Sequence, residues 1–253
     1  MKILRNLTFV LIFVILFYSH AFSLGLEGAV GVWNQNPSGY LSYKGDSISV
    51  EDELRYDTEN RFIGRLKVDM PLFLPNIYFM YTPIRYKEDG HKDIDFKFGN
   101  VTFRANVPFH SEAKLDHYDV ALYYGLPFVN TATLGRVNID VGLNVRVIDF
   151  YAKIEQKNLD LYQKKEATIP IPMLYVGIQL KPVKFFHIEA ECRGVAYQGS
   201  SYFDVIGRVK IYPLGKLFFA SAGYRIQDIN IDYADIDSEV KFRGPFAEIG
   251  FTF

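Results

Sequence analysis

The segment "FHSEAKLDHYD", residues 109–119, collects the side chains best suited to acyl or peptide chemistry: His110, Ser111, Glu112, Asp116, His117 and Asp119. A nucleophile, a base and an orienting acid could be drawn from that set. Strand geometry limits it, because successive side chains point to opposite faces. His110 and Ser111 are neighbours and form no ready dyad. His117 and Asp119 share a face and can pair, either as a rim hydrogen bond or as a base–acid couple. Two further clusters suggest metals. His187, Glu189 and Glu191 share one face, yet steps of about 7 Å along a strand are too extended to chelate an ion without a neighbour's help. Neutralisation by Arg193, Arg208 or Lys210 is the simpler expectation. Asp228, Asp232, Asp235, Asp237 and Glu239 form an acidic stretch, but its spacing does not match the Gly-containing calcium loop. Cys192 is the only cysteine, which excludes an intramolecular disulfide and a multi-cysteine metal site. No catalytic residue, metal site or cofactor is expected.

The elements that carry these residues read as strands. "RVNIDVGLNVRVIDFYAK" (136–153) sets Val137, Ile139, Val141, Leu143, Val145 and Val147 on one face and Asn138, Asp140, Gly142, Asn144 and Arg146 on the other. The same test predicts about ten strands: Leu26–Trp33, Phe62–Met70, Ile77–Arg85, Leu115–Gly125, Val137–Tyr151, Met173–Lys181, Phe186–Ala196, Phe203–Tyr212, Phe218–Gln227 and Val240–Phe253. An aromatic content of 16%, with 22 Phe and 18 Tyr, favours strands over helices. A formal net charge of -1 gives no basic field for nucleic acid. No composition break suggests a second domain.

The connections differ at the two ends. "MPLFLPN", "LPFVNTATLGR", "KPVKF" and "YPLGK" are compact and each carries Pro, which stops a ladder and pre-sets a turn. The stretches 34–61, 86–114, 154–168 and 228–239 are longer and polar, with the short "QGSS" as the exception. Within them, Gly99-Asn100 predicts a hairpin turn in 95–105 standing above a membrane, and 40–56 is expected to behave similarly. Such sorting matches a transmembrane barrel. A soluble sandwich has no comparable reason for it.

In that architecture the polar face is internal. The charged set expected to line the interior is Arg65, Lys67, Asp69, His117, Asp119, Asp140, Arg146, Lys181, His187, Glu189, Glu191, Arg193, Arg208, Lys210, Arg225 and Glu248, joined by Glu27, Asn144 and Gln179. Outward positions such as Val30, Phe79, Val120, Val145, Val176, Val205 and Ile249 carry almost no charge. A basic residue at mid-depth there would cost about 2–4 kcal/mol.

The termini agree. Residues 1–23 combine Lys2 and Arg5, an apolar run from Leu7 to Tyr18 and the small-x-small pattern Ala21-Phe22-Ser23, a secretory signal peptide cleaved after Ser23. Residues 24–253 would form the mature domain. "AEIGFTF" places Ala247, Ile249, Phe251 and Phe253 on one face and resembles the terminal strand of bacterial outer-membrane β-barrel proteins. That resemblance implies recognition by the barrel-assembly machinery through Ile249, Phe251 and Phe253. "GLEGAVGVWNQNPSGYLSY" with "DMPLFLPNIYFMYTPI" is similar to an uncharacterised proteobacterial-type group of such barrels, which carries over no activity.

The reading is all-β: a single antiparallel up-and-down transmembrane barrel of about ten strands, with eight or twelve as alternatives. It would be a monomer in outer-membrane lipid, structural or narrow-pored, its charged lumen closed by ion pairs and its loops free for an extracellular ligand. An outer-membrane enzyme with a rim site and a soluble periplasmic lipocalin-like carrier are the other two functions considered.

Overall fold

The computed structural model describes residues 24–71, 73–213, 215, 217–233 and 236–253; the expected signal peptide lies outside them. Ten antiparallel strands follow in chain order: β1 (Gly25–Leu41), β2 (Glu59–Asp69), β3 in two pieces (Asn76–Thr82 and Arg85–Gly90), β4 (Phe109–Gly125), β5 (Val137–Gln156), β6 (Leu161–Val183), β7 (Phe186–Tyr197), β8 (Ser200–Ile211), β9 (Phe218–Tyr233) and β10 (Ile236–Thr252). Each pairs with its sequence neighbour and β10 pairs back onto β1, closing an up-and-down barrel without free edges. The closing seam runs from Glu27↔Thr252 to Tyr40↔Glu239. Leu26 and Phe253 fasten its end by exchanging two backbone hydrogen bonds of 3.0 and 2.7 Å.

The strands outrun the sequence reading at one end. Stretches 154–168 and 228–239, expected as loops, are mainly strand, since β5–β6 and β9–β10 continue as hairpins to Gln156/Leu161 and Tyr233/Ile236. Their polar residues reflect two wet faces rather than absence of pairing. The Gly99-Asn100 hairpin forms, with Phe96–Phe98 paired to Val101–Phe103. Phe96, Phe98 and Phe103 turn into an apolar cluster with Ile48, Val50, Leu54, Phe109 and Ile154, so the hairpin folds over the barrel mouth instead of standing clear of it. Residues 40–49 make only a two-rung ladder, Tyr40↔Ser49 and Leu41↔Ile48.

Pro83 breaks β3, which the sequence reading had continuous to Arg85. Backbone groups of a strand face its two neighbours alternately. The Ile84 carbonyl accepts from Leu115 N on β4, so Pro83 faces β2, where it has no N–H to give. Pairing of β2 with β3 stops at Gly64↔Tyr81. Side chains take over the freed carbonyls: Gln35 Nε2 donates to Pro83 O at 2.8 Å, and Arg61 Nη2 donates to Arg85 O. The β3–β4 pairing resumes in register, from Thr82↔His117 to Arg85↔Lys114.

At the seam, Trp33 is wholly buried and its Nε1 donates to the Gly244 carbonyl at 3.1 Å. A Cβ on Gly244 would sit 1.8 Å from the Asn34 carbonyl oxygen, a backbone atom that cannot move aside without opening the closing ladder. Gly244→Val is therefore expected to abolish the compact, heat-modifiable band of the folded barrel on unboiled gels, whereas Gly207→Val, at a position with open space around it, retains it.

Candidate functional site

Side-chain alternation places the chemistry inside the barrel. The strands carry it in two tiers, named from the end with the short turns. The first tier joins Glu27 (β1), Arg65 and Lys67 (β2), Glu189, Glu191 and Arg193 (β7), Arg208 and Lys210 (β8) and Glu248 (β10). Arg65 Nη1 donates to Glu27 at 2.6 Å and its Nε to Glu248 at 3.2 Å. Lys210 bridges Glu27 and Glu189 at 2.9 and 2.6 Å. Arg208 bridges Glu189 and Glu191 at 3.2 and 2.9 Å, while Lys67 reaches Glu191 at 3.0 Å. Arg193 also donates to Glu191, at 3.1 Å. Its Nε and Nη1 find no hydrogen-bond partner, but its guanidinium lies 4.8 and 5.3 Å from the Tyr78 and Tyr175 rings. Those π-faces supply part of the missing stabilisation.

The second tier is centred on Asp204 of β8. Arg146 donates to both oxygens of Asp119 at 2.9 Å and to Asp204 at 2.5 Å. Arg225 makes a bidentate pair with Asp204 at 2.9 and 2.7 Å and also donates to Thr82 at 2.9 Å. The two guanidiniums rest on aromatic rings, Arg146 4.6 Å from that of Tyr202 and Arg225 4.7 Å from that of Trp33. Burying two ions costs several kcal/mol per ion unless geometry and extra hydrogen bonds offset it. Here nearly every carboxylate meets two cations.

His117, Asp119 and Asp204 bring ligand atoms within 4.8 Å of one another, a spacing a metal ion could use. Their lone pairs are committed elsewhere. Both carboxylates face arginines, His117 Nδ1 donates to the Leu115 carbonyl at 3.0 Å, and His117 Nε2 accepts from Gln227 at 3.0 Å. The set therefore suits arginine rather than a divalent ion. His117 and Asp119 are buried and do not bond to each other, correcting their expected pairing at the rim. Ser111 Oγ donates to the Glu88 carbonyl and His110 pairs with Asp89, so no nucleophile–base contact exists there.

Most residues expected to line the interior join the two tiers. Four do not. Asp69 is exposed at the turn end. Asp140 accepts from Asn138 at 2.7 Å, and Lys181 is half-buried near the same end. His187 is half-buried and its ring packs at a tilt against that of Tyr212, centroids 4.9 Å apart, instead of joining Glu189 and Glu191 in an ionic contact. Each lies close to a turn, where the tiers give way to solvent. Conversely, Asp204 and Gln227 join the second tier from outside the expected set, although both follow from parity: Asp204 shares the face of Arg208 and Lys210, and Gln227 that of Arg225.

The outward positions form a belt. Val137, Ile139, Val141, Leu143, Val145 and Val147 face out along β5, and the first outward charge is Asp149. On neighbouring strands the belt ends at Asn34, Asn60, Asp116, Thr168, Asp228 and Arg243, and among the described residues no outward position between these and the turns carries a charge. Eleven residues at a tilt near 45° span about 25 Å. Tyr81 and Tyr118 stack at its upper edge, their centroids 4.9 Å apart.

No protein-family model matches the chain, and no characterised protein matches it by sequence. Among solved structures it is similar to the attachment invasion locus protein Ail of Yersinia pestis in complex with the heparin analogue sucrose octasulfate, at 9% identity and a TM-score of 0.38, covering 92% of this chain and 100% of that one. It is also similar to the monoaromatic hydrocarbon channel CymD, at 7% identity and 0.31, covering 92% and 89%. The toluene transporter TodX of Pseudomonas putida gives 7% and 0.27, covering 90% and 89%. The barrel assignment stands on the chain's own strand register.

Removing Arg146 would leave Asp119 without its bidentate partner and Asp204 with Arg225 as its only arginine, beside the Gln227 amide. Arg146→Ala is expected to lower unfolding stability by about 3–5 kcal/mol in urea titrations of the barrel in vesicles, while Lys164→Ala on the exposed hairpin leaves the midpoint unchanged.

Proposed function

We propose that the protein is an integral outer-membrane barrel with a structural role, its lumen closed by the two ionic tiers and by the apolar cluster above them. The belt carries this reading. It is an uncharged outward surface about 25 Å tall, wrapped around an interior where Arg146, Arg193, Arg225 and Lys210 are fully buried. A soluble carrier barrel would need the reverse, an apolar interior and a wet exterior.

In this reading residues 1–23 direct export and the turn end faces the periplasm. The terminal Phe251 and Phe253 present the assembly signal, and the hairpins face outward as a contact surface. The ring of Phe251 also covers Gly28 on the facing strand, where an added Cβ would lie 2.8 Å from it. That contact supports a part in closing the barrel as well as in recognition by the assembly machinery.

Two measurements test the proposal. In planar bilayers the inserted barrel is expected to be silent across voltage and salt; reproducible conductance steps that change size in Lys67→Glu would overturn the closed lumen. Leu143→Arg, at mid-belt, is expected to cost about 2–4 kcal/mol of stability in vesicles. A Leu143→Arg barrel as stable as wild type would overturn the lipid-facing belt.

A further inference from the structure

Beyond Pro83 a cleft with a volume of 470 Å³ lies over the paired β3, β4 and β5, with Arg61 of β2 at its edge. Arg61, Arg85, Lys87 and Lys114 line it, with Glu112 as the only lining carboxylate and Tyr151 beside them. Its lining begins at Arg61 and Arg85, three and four residues beyond the last β2–β3 rung, Gly64↔Tyr81. The cleft therefore lies above the stacked Tyr81 and Tyr118, just outside the upper edge of the belt.

From this geometry we infer that the cleft binds the phosphate group of an outer-leaflet lipid headgroup. The inference rests on the lipid-facing reading of the belt. Three features support it. Tyrosine at a belt edge marks the boundary at which headgroups begin, so a cleft just above it meets phosphates and not acyl chains. The cations are anchored without being used up. Asp116 holds Arg85 and Asp149 holds Lys114, yet an arginine has five N–H donors and a lysine three. Lys87 pairs with Glu112 at 2.9 Å while 66% of its side chain stays exposed, and Arg61 Nε has no hydrogen-bond partner. Finally, two guanidiniums and two ammoniums around one opening suit a multiply charged acceptor with several oxygens.

The test uses the full-length barrel extracted from membranes in detergent, with lipid adducts counted by native mass spectrometry. Wild type is expected to retain dilauroyl phosphatidic acid at least about tenfold better than dilauroyl phosphatidylcholine, the scale of one charge-assisted hydrogen bond. The double variant Arg61→Gln/Lys87→Gln loses that preference while keeping heat-modifiable migration. Lys87→Gln alone, at an exposed site outside both interior tiers, lowers it and covers the case in which the double variant misfolds. Equal retention of the two lipids by wild type, or a preference unchanged in the folded variants, would overturn the cleft. Inorganic phosphate binding as tightly as phosphatidic acid would overturn the lipid source. A chain that leaves the membrane fraction on carbonate washing would instead refute the membrane reading itself, so the two failures are distinguishable.

Discussion

Charge on these strands has only one place to go. A belt facing hydrocarbon cannot hold it, so every charged side chain at belt level projects into the lumen, where water is scarce and each ion must be neutralised by another. Arg146 between Asp119 and Asp204, Arg225 on Asp204, and Lys210 between Glu27 and Glu189 are the local solutions. The need extends through the fold. It couples β1 to β8, β2 to β7 and β5 to β8 across the lumen, contacts that no pairwise ladder provides. In a barrel of ten strands the lumen is narrow enough for long side chains to meet at its centre.

Aromatic rings complete what carboxylates leave undone. Arg193 meets Tyr78 and Tyr175, Arg225 meets Trp33, Arg146 meets Tyr202, and Lys210 lies 4.7 Å from Phe219. Towards the hairpin end the rings of Trp33, Tyr78, Tyr175 and Tyr202 merge with an apolar cluster assembled from the inward faces of the strands and from the 96–103 hairpin. The interior therefore changes character with depth, from ionic near the turns to apolar at the mouth.

The parting of β3 from β2 has a covalent origin. Pro83 removes a single donor, and the ladder to β2 ends there. Its neighbours adapt with side chains: Gln35 and Arg61 satisfy carbonyls, while the carboxylate of Asp116 accepts the Ile84 N–H at 3.1 Å and holds Arg85. The strand resumes beyond the break in its original register with β4, so one side of β3 stays closed while the other opens.

Period-two alternation determined the fold class, and with it the inward placement of Arg65, Glu191, Arg208 and Glu248, because a strand allows each side chain only two directions and lipid refuses charge on one of them. The strand count followed from the turns, where Pro and Gly interrupt the alternation. The sequence alone did not determine where strands end at the hairpin side. Beyond the belt both faces are wet, the alternation disappears, and 228–239 reads as a loop although it pairs. Nor could it decide partners. Asp204 serving both Arg146 and Arg225, His117 turning to Gln227 instead of Asp119, and the 96–103 hairpin folding over the mouth all depend on which strands face one another across the lumen. Alternation fixes a side chain's direction, but only barrel closure sets the distance it must reach.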